Sequence, residues 1–274
     1  MEILLSPAKI NLGLWITEKR PDGYHNIYTY MHKVSLYDRI FVKPSPILKV
    51  SSSNPSVPEG KENIVYKAVK EFENYTGLEV NLEIFIEKNI PVGAGLGGGS
   101  SNAATILKYI NDKFGKPLSE EELIKLGASI GSDIPFFFKE GLVKVTGKGD
   151  ILEDTDIKYE NPVFIIYPNI PSDTKDIYSK VDYKMLTKLE DLAKIDSLIF
   201  DVNKLVENIE NTLGIIAKEH IGTIREVLNT VEYLGYIGNI TGSGSAVYVI
   251  GEPGNEVDII CKAKNWKLFK VKFI

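Results

Sequence analysis

The chain has 274 residues, enough for one large domain or two modest ones at roughly 150 residues each. With 43% hydrophobic and 25% charged residues it has ample material for a core, which excludes disorder as a description of the whole. A net charge of -5, a pI near 5.4, one cysteine and three histidines exclude a broad basic nucleic-acid footprint, an intramolecular disulfide and a zinc cluster.

Met1 to Ser6 lacks the basic flank and long apolar stretch of a signal peptide, and no apolar run approaches a membrane span. The expectation is a soluble cytoplasmic protein without a nucleic-acid or membrane partner. Ile10 to Ile16 places apolar side chains at every second position, as a strand does, and Asn26–Val34 and Arg39–Lys43 are two shorter β-rich runs. Ser51 to Ser56 reads as a polar turn. Val65, Ala68, Val69, Phe72 and Tyr75 lie on one helical face, with Gly77 as the stop. Val80, Leu82, Ile84 and Ile86 alternate as a strand. A glycine-rich segment follows, then a helix carrying Ala103, Ala104, Leu107, Ile110 and Phe114, and ending near Gly115. Ser119 with Glu122 is a capping box for a helix reaching Ile130. Leu142–Val145 is a strand before a Gly-Lys-Gly turn.

After about residue 155 the pattern restarts. Val163–Tyr167 reads as a buried strand, Lys184–Glu210 as largely helical, Ile221–Leu234 as a helix and Ala246–Ile250 as a strand. Val257–Ala263 and Leu268–Phe273 close the chain as helix and strand, with Cys261 a small buried residue. Strands mixed with helices, without a regular βαβα repeat, point to two α+β domains, 1–155 and 156–274.

The glycine-rich segment is Pro91-Val92-Gly93-Ala94-Gly95-Leu96-Gly97-Gly98-Gly99-Ser100-Ser101. Set between a strand and a helix, such a loop aims free N–H groups and the positive end of the helix dipole at one point, which suits a phosphate. A flexible connector is the bland alternative. A side chain at Gly98 is expected to block approach to phosphate more than it disturbs folding. The loop also matches G-x-G-x-x-G, but the acidic strand-end residue of a dinucleotide site is missing, as is a Gly-Lys-Ser/Thr triplet. With three arginines (Arg20, Arg39, Arg225), lysines and backbone amides must do most phosphate binding.

These residues, with Pro7-Ala8-Lys9-Ile10-Asn11-Leu12 before them and Thr241-Gly242-Ser243-Gly244-Ser245-Ala246 after, resemble the three motifs of the GHMP kinase superfamily. Arg20-Pro21-Asp22-Gly23-Tyr24-His25 and Gly131-Ser132-Asp133-Ile134-Pro135-Phe136-Phe137 are most similar to its 4-diphosphocytidyl-2-C-methyl-D-erythritol kinases. The resemblance implies a two-domain α+β fold whose active site lies in the interdomain cleft, residues 1–155 forming the ATP-binding domain. It implies phosphoryl transfer from ATP, with Mg²⁺ inferred from the chemistry, to the 2-hydroxyl of a cytidine diphosphate alcohol in non-mevalonate isoprenoid synthesis.

By the same resemblance Asp133 is the catalytic base, although Ser-Asp before proline is also a common turn or helix cap. Lys9, otherwise a surface lysine beside a strand, lies near Asp133 and the transferred phosphoryl group. Asn11 shares the strand face of Lys9 and meets the substrate. Tyr24 and Tyr178 sandwich the cytosine while His25 reads its polar edge, and Lys148 reaches a substrate phosphate; the alternatives are ordinary strand residues for Tyr24 and His25, a helix residue packing on the core for Tyr178 and a solvated turn lysine for Lys148. Gly242 and Ser243 of the third motif join the substrate set. Residues 91–101 bind ATP, Asn63 and Lys88 line its adenine side, and Ser101 is the Mg²⁺ contact. The alternatives are another GHMP kinase acting on homoserine, mevalonate or a sugar, and a non-catalytic nucleotide-binding protein of the same fold. A nicotinamide-dependent oxidoreductase rests on the glycine match alone.

Overall fold

Two long strands open the chain, β1 (Glu2–Lys19) and β2 (His25–Pro44), and the tight turn between them is closed by Arg20 N–H on Tyr24 O at 2.8 Å. The computed structural model describes residues 1–274. The sequence pattern reveals only pieces of both strands. In β2 the interruption is Asp38, a carboxylate standing on the buried side between Leu36 and Ile40.

The residues gather into two compact units, each discontinuous in sequence. The first takes Met1–Ala8, Leu36–Val92 and Gly97–Glu140, and the second takes Lys9–Ser35, Gly93–Leu96 and Gly141–Ile274. Residue 155, where the sequence reading divides the chain, lies within the second.

In the first unit the C-terminal half of β2 pairs antiparallel with β4 (Leu82–Glu87), Ile40 opposite Ile86 and Val42 opposite Ile84. A short β3 (Lys49–Ser52) runs parallel to β4, so Ser51 and Ser52 finish a strand and the expected polar turn begins after them. Three helices complete the unit. The first, α1 (Ile64–Thr76), buries Val65, Ala68, Val69 and Phe72 and ends at Gly77 in the left-handed region, as its spacing predicts. It packs on α2 (Gly98–Lys113) and α3 (Glu120–Ile130), which bury Ala103, Leu107, Ile110, Leu123 and Leu126. The expected Ser119–Glu122 capping box starts α3.

The second unit pairs the N-terminal half of β2 with β5 (Val143–Thr146), and β5 with β6 (Ile151–Asp154). Its other sheet is antiparallel throughout: β7 (Pro162–Tyr167) lies between β10 (Lys267–Lys272) and β9 (Val247–Ile250), and β8 (Asn239–Ile240) borders β9. Against it pack α7 (Thr212–His220), α8 (Gly222–Tyr233) and α9 (Asn255–Ala263), closing a core that includes Phe164, Ile216, Val227, Val247 and the buried Cys261. The expected helical stretch from Lys184 to Glu210 is instead a 3₁₀ turn at Tyr183–Met185 followed by α5 (Leu189–Asp196) and α6 (Val202–Asn208). Two tertiary demands divide it. Thr187 N–H bonds Ile16 O on β1, and Asp201 turns its side chain onto the Asn203 and Lys204 amides as a fresh cap. The short α4 (Thr174–Ser179), α7, β6 and β8 went unread in the sequence. No helix is long and apolar enough to cross a membrane.

Candidate active site

Within the second unit, residues 9–11, 94–96 and 241–246, drawn from the three motifs, are hydrogen-bonded together. Lys9 and Asn11 share one side of β1, as alternation along a strand requires, and both are buried. Lys9 Nζ donates to Asn11 Oδ1 at 2.6 Å, and Asn11 Nδ2 donates to Thr29 Oγ1 on β2 at 3.0 Å. The Asn11 amide donates to Thr241 Oγ1 at 3.0 Å, and that hydroxyl donates to Gly95 O at 3.2 Å. Lys9 N–H reaches Leu96 O at 3.0 Å, and Ala246 N–H reaches Ala94 O at 3.2 Å. Gly95 is required here twice over: its φ is +77°, and a Cβ would lie 2.1 Å from Thr241 O. Ser243 is fixed from the other side, its carbonyl accepting from Ser172 Oγ and its hydroxyl paired with Thr174 Oγ1. Asn211 Nδ2 donates to Gly242 O at 2.8 Å. Thr29, Ser172, Thr174 and Asn211 are polar positions the sequence reading missed.

The start of β2 in the same unit carries a second group. His25 is buried and stacks on Tyr178 of α4 at 5.5 Å between ring centroids, and its Nε2 has no hydrogen-bond partner. Burial, helped by the nearby Lys19 charge, holds its pKa below the ordinary histidine value, so the ring is neutral near pH 7. A neutral ring offers a donor at one nitrogen and an acceptor at the other. Tyr24 is 61% exposed, and Lys148 Nζ lies over its ring at 5.6 Å. The Gly-Lys-Gly turn holding Lys148 is tied to β2 by Ile27 N–H on Gly147 O at 2.7 Å. Tyr178, expected to face the cytosine opposite Tyr24, thus has His25 as a stacking neighbour.

In the first unit Gly97 is the N-cap of α2; its φ of +69° turns the loop into the helix, and it offers no capping side chain to the first-turn amides. Those amides and the helix dipole make an anion-binding end. Pro91 and Val92 lead the loop out of the segment after β4, and Ser100 and Ser101 lie in the first turn of α2. Asp133 is half-buried in the turn between α3 and the 3₁₀ turn Pro135–Phe138. That turn is seated by Ile134 against Gly127, where a Cβ would lie 2.7 Å from Ile134 Cγ2. Asn63 caps α1, accepting from Val65 N–H at 2.8 Å and donating to Pro58 O at 2.7 Å. The Lys88 ammonium is buried against Asp38 and Asn102 beneath the loop.

The Ser101 hydroxyl is fully buried and accepts from Ser6 Oγ at 2.7 Å. No three His, Cys, Asp or Glu side chains are assembled to hold a metal. Mg²⁺ is commonly held by one or two carboxylates together with substrate phosphate oxygens.

Residues 63–141 match the family of GHMP kinases N terminal domains. The chain is 56% identical to the 4-diphosphocytidyl-2-C-methyl-D-erythritol kinase of Persephonella marina over 98% of each chain. It is 52% identical to the one from Sulfurihydrogenibium sp. over 99% of each. The crystal structure of a 4-(cytidine 5'-diphospho)-2C-methyl-D-erythritol kinase superposes with a TM-score of 0.79 at 28% identity, covering 99% of both chains. The mevalonate kinase of Methanococcus jannaschii, at 16% identity and a TM-score of 0.71 over 100% of this chain and 98% of its own, shares the fold.

Proposed function

The chain belongs to the 4-diphosphocytidyl-2-C-methyl-D-erythritol kinases, a branch of the GHMP kinase superfamily, and from that premise we propose how its residues carry the transfer. ATP lies with its phosphates along residues 91–101, held by loop amides and the start of α2. The 2-hydroxyl of the cytidylated alcohol attacks the γ-phosphorus, the bond to the β–γ bridging oxygen breaks, and ADP leaves. Asp133 accepts the hydroxyl proton, and the Lys9 ammonium offsets charge on the transferring group.

The observation that carries the substrate reading is the buried, unpartnered His25 Nε2. A buried polar atom without a partner costs stability unless a ligand satisfies it, and the edge of a pyrimidine base offers both donors and acceptors. Tyr178 and the exposed Tyr24 provide aromatic faces for the ring, and Lys148 a charge for the diphosphate. Asn11, Gly242 and Ser243 then border the alcohol. The motif cluster in the second unit supports this assignment, because it gives Lys9 and Asn11 one fixed orientation.

Asp133→Asn tests the chemical role. The variant is expected to bind both substrates and to lose about 10²–10⁴-fold in turnover, the range for a lost general base. Single-turnover rates beside binding titrations measure it; wild-type turnover would remove Asp133 from the reaction.

A further inference from the structure

We infer that Asp38 is a positioning residue for ATP, acting through the support on which the glycine loop rests; the inference depends on the reading that this loop holds ATP. Asp38 is fully buried on β2. A buried carboxylate must be compensated by charge and hydrogen bonds, and both oxygens here are used. Oδ1 accepts from the amides of Asn89 at 2.8 Å and Ile90 at 2.9 Å. Oδ2 accepts from Asn102 Nδ2 at 3.0 Å and from the Lys88 ammonium.

These four donors lie on the two sides of the loop. Residues 88–90 lead into it from β4, and Asn102 belongs to the first turns of α2, which leaves it. One carboxylate therefore ties the entry of the loop to its exit. Asn102 extends the tie to Ser6 Oγ at 2.9 Å, Ser6 bonds Ser101 Oγ, and Lys88 Nζ also reaches Asn102 Oδ1 at 3.2 Å. Gly98 rests directly on this layer, since a Cβ there would stand 2.9 Å from Lys88 Nζ and 3.0 Å from Ile90 Cγ2. Burial pushes the Lys88 pKa down while Asp38 opposes the shift, so loss of the carboxylate leaves that charge uncompensated. Loop entry and helix start would then be free to shift, turning the first-turn amides away from the phosphates.

The test compares KM for ATP with KM for the cytidylated alcohol. In Asp38→Asn an amide replaces one acceptor oxygen, so one side of the tie is lost. KM for ATP should rise about 10- to 100-fold, the scale of one lost charge-assisted hydrogen bond, while KM for the alcohol stays near the wild-type value. The double variant Asp38→Leu/Lys88→Met removes the charge pair as a unit and should melt within a few degrees of Asp38→Asn or above it, yet keep the raised KM for ATP. A wild-type KM for ATP in either folded variant overturns the inference, as does an equal rise in both KM values. Hydrogen exchange on the wild-type protein without nucleotide gives a reading that needs no variant. The Asn89 and Ile90 amides should exchange slowly, and exchange at the rate of exposed loop amides overturns the claim. Gly99→Asp separates this from the underlying reading, because the nearest atom to a Cβ there is Ile64 Cγ2 at 3.7 Å and the new charge has room. It should weaken ATP strongly. If it leaves ATP unaffected, the loop does not hold ATP and the inference falls with that reading; if it weakens ATP while the Asp38 variants do not, only the inference falls.

Discussion

His25 combines burial, a stacked neighbour and an unused nitrogen, and it gives the protein a pH dependence whose sign is fixed by the structure. Burial and Lys19 depress its folded-state pKa. Below the unfolded value of about 6.5 the unfolded chain binds a proton that the folded chain refuses. The stability associated with neutral His25 is therefore fully present above about pH 6.5 and is lost as pH falls through the lower, folded pKa. Denaturant titrations at a series of pH values should show this acid loss, reduced in His25→Gln. Protonation would also alter what the ring offers a base, so KM for the cytidylated alcohol should climb at acid pH before KM for ATP does. Identical pH slopes in wild type and variant would contradict the assignment. Lys9, Asn11, Tyr24 and His25 stand out in the sequence through their motifs. Asp38 carries a quieter signal: Leu36, Asp38, Ile40 and Val42 alternate, which puts a lone acid on the buried side of a strand. Thr29 and Asn211 carry no such mark, because their roles depend on residues far away in the chain.

At the scale of elements, the helices with local signals are the legible ones. The Gly77 stop and the Ser119–Glu122 box mark the end of α1 and the start of α3 because each works within a few residues. The α7 helix escapes notice because Gly214 interrupts its pattern; a Cβ there would meet Asn211 and Ile240 at 3.0 Å, so close packing and not helix propensity selects the residue. The glycine loop shows the same division. An anion-binding loop is what composition and position lead one to expect, but the reason for each glycine is not legible there. Gly98 faces Lys88 and Ile90, not an open approach. Gly98→Val is therefore expected to lower the melting temperature as well as ATP affinity, whereas Gly99→Val, with only Ile64 in ordinary contact, should melt near wild type and lose ATP affinity. Thermal melts beside calorimetric ATP titrations check the pair. A Gly98→Val protein as stable as wild type would mean that the layer beneath the loop yields easily.

At the scale of the whole chain, the order of the motifs is readable and the grouping of residues is not. A single divide near residue 155 follows from the restart of the strand and helix pattern. The compact units are each assembled from three stretches, because β1, β2 and the glycine loop contribute residues to both. Strands pair across long separations, Thr29 with Val145 for example, and nothing local announces such a register. Function is more legible than topology here, since three motifs widely separated in sequence must still form one chemistry. The proposed chemistry phosphorylates a cytidylated alcohol whose base the protein reads. Its most direct test is the ratio of kcat/KM values, with ATP as donor, for 4-diphosphocytidyl-2-C-methyl-D-erythritol and for methylerythritol without the cytidine diphosphate. Stacking contributes about 1–3 kcal/mol per base, and binding energy from the remote group also orients the hydroxyl. The cytidylated compound should therefore be preferred by at least about 10²-fold; equal efficiency for the two alcohols would contradict the account.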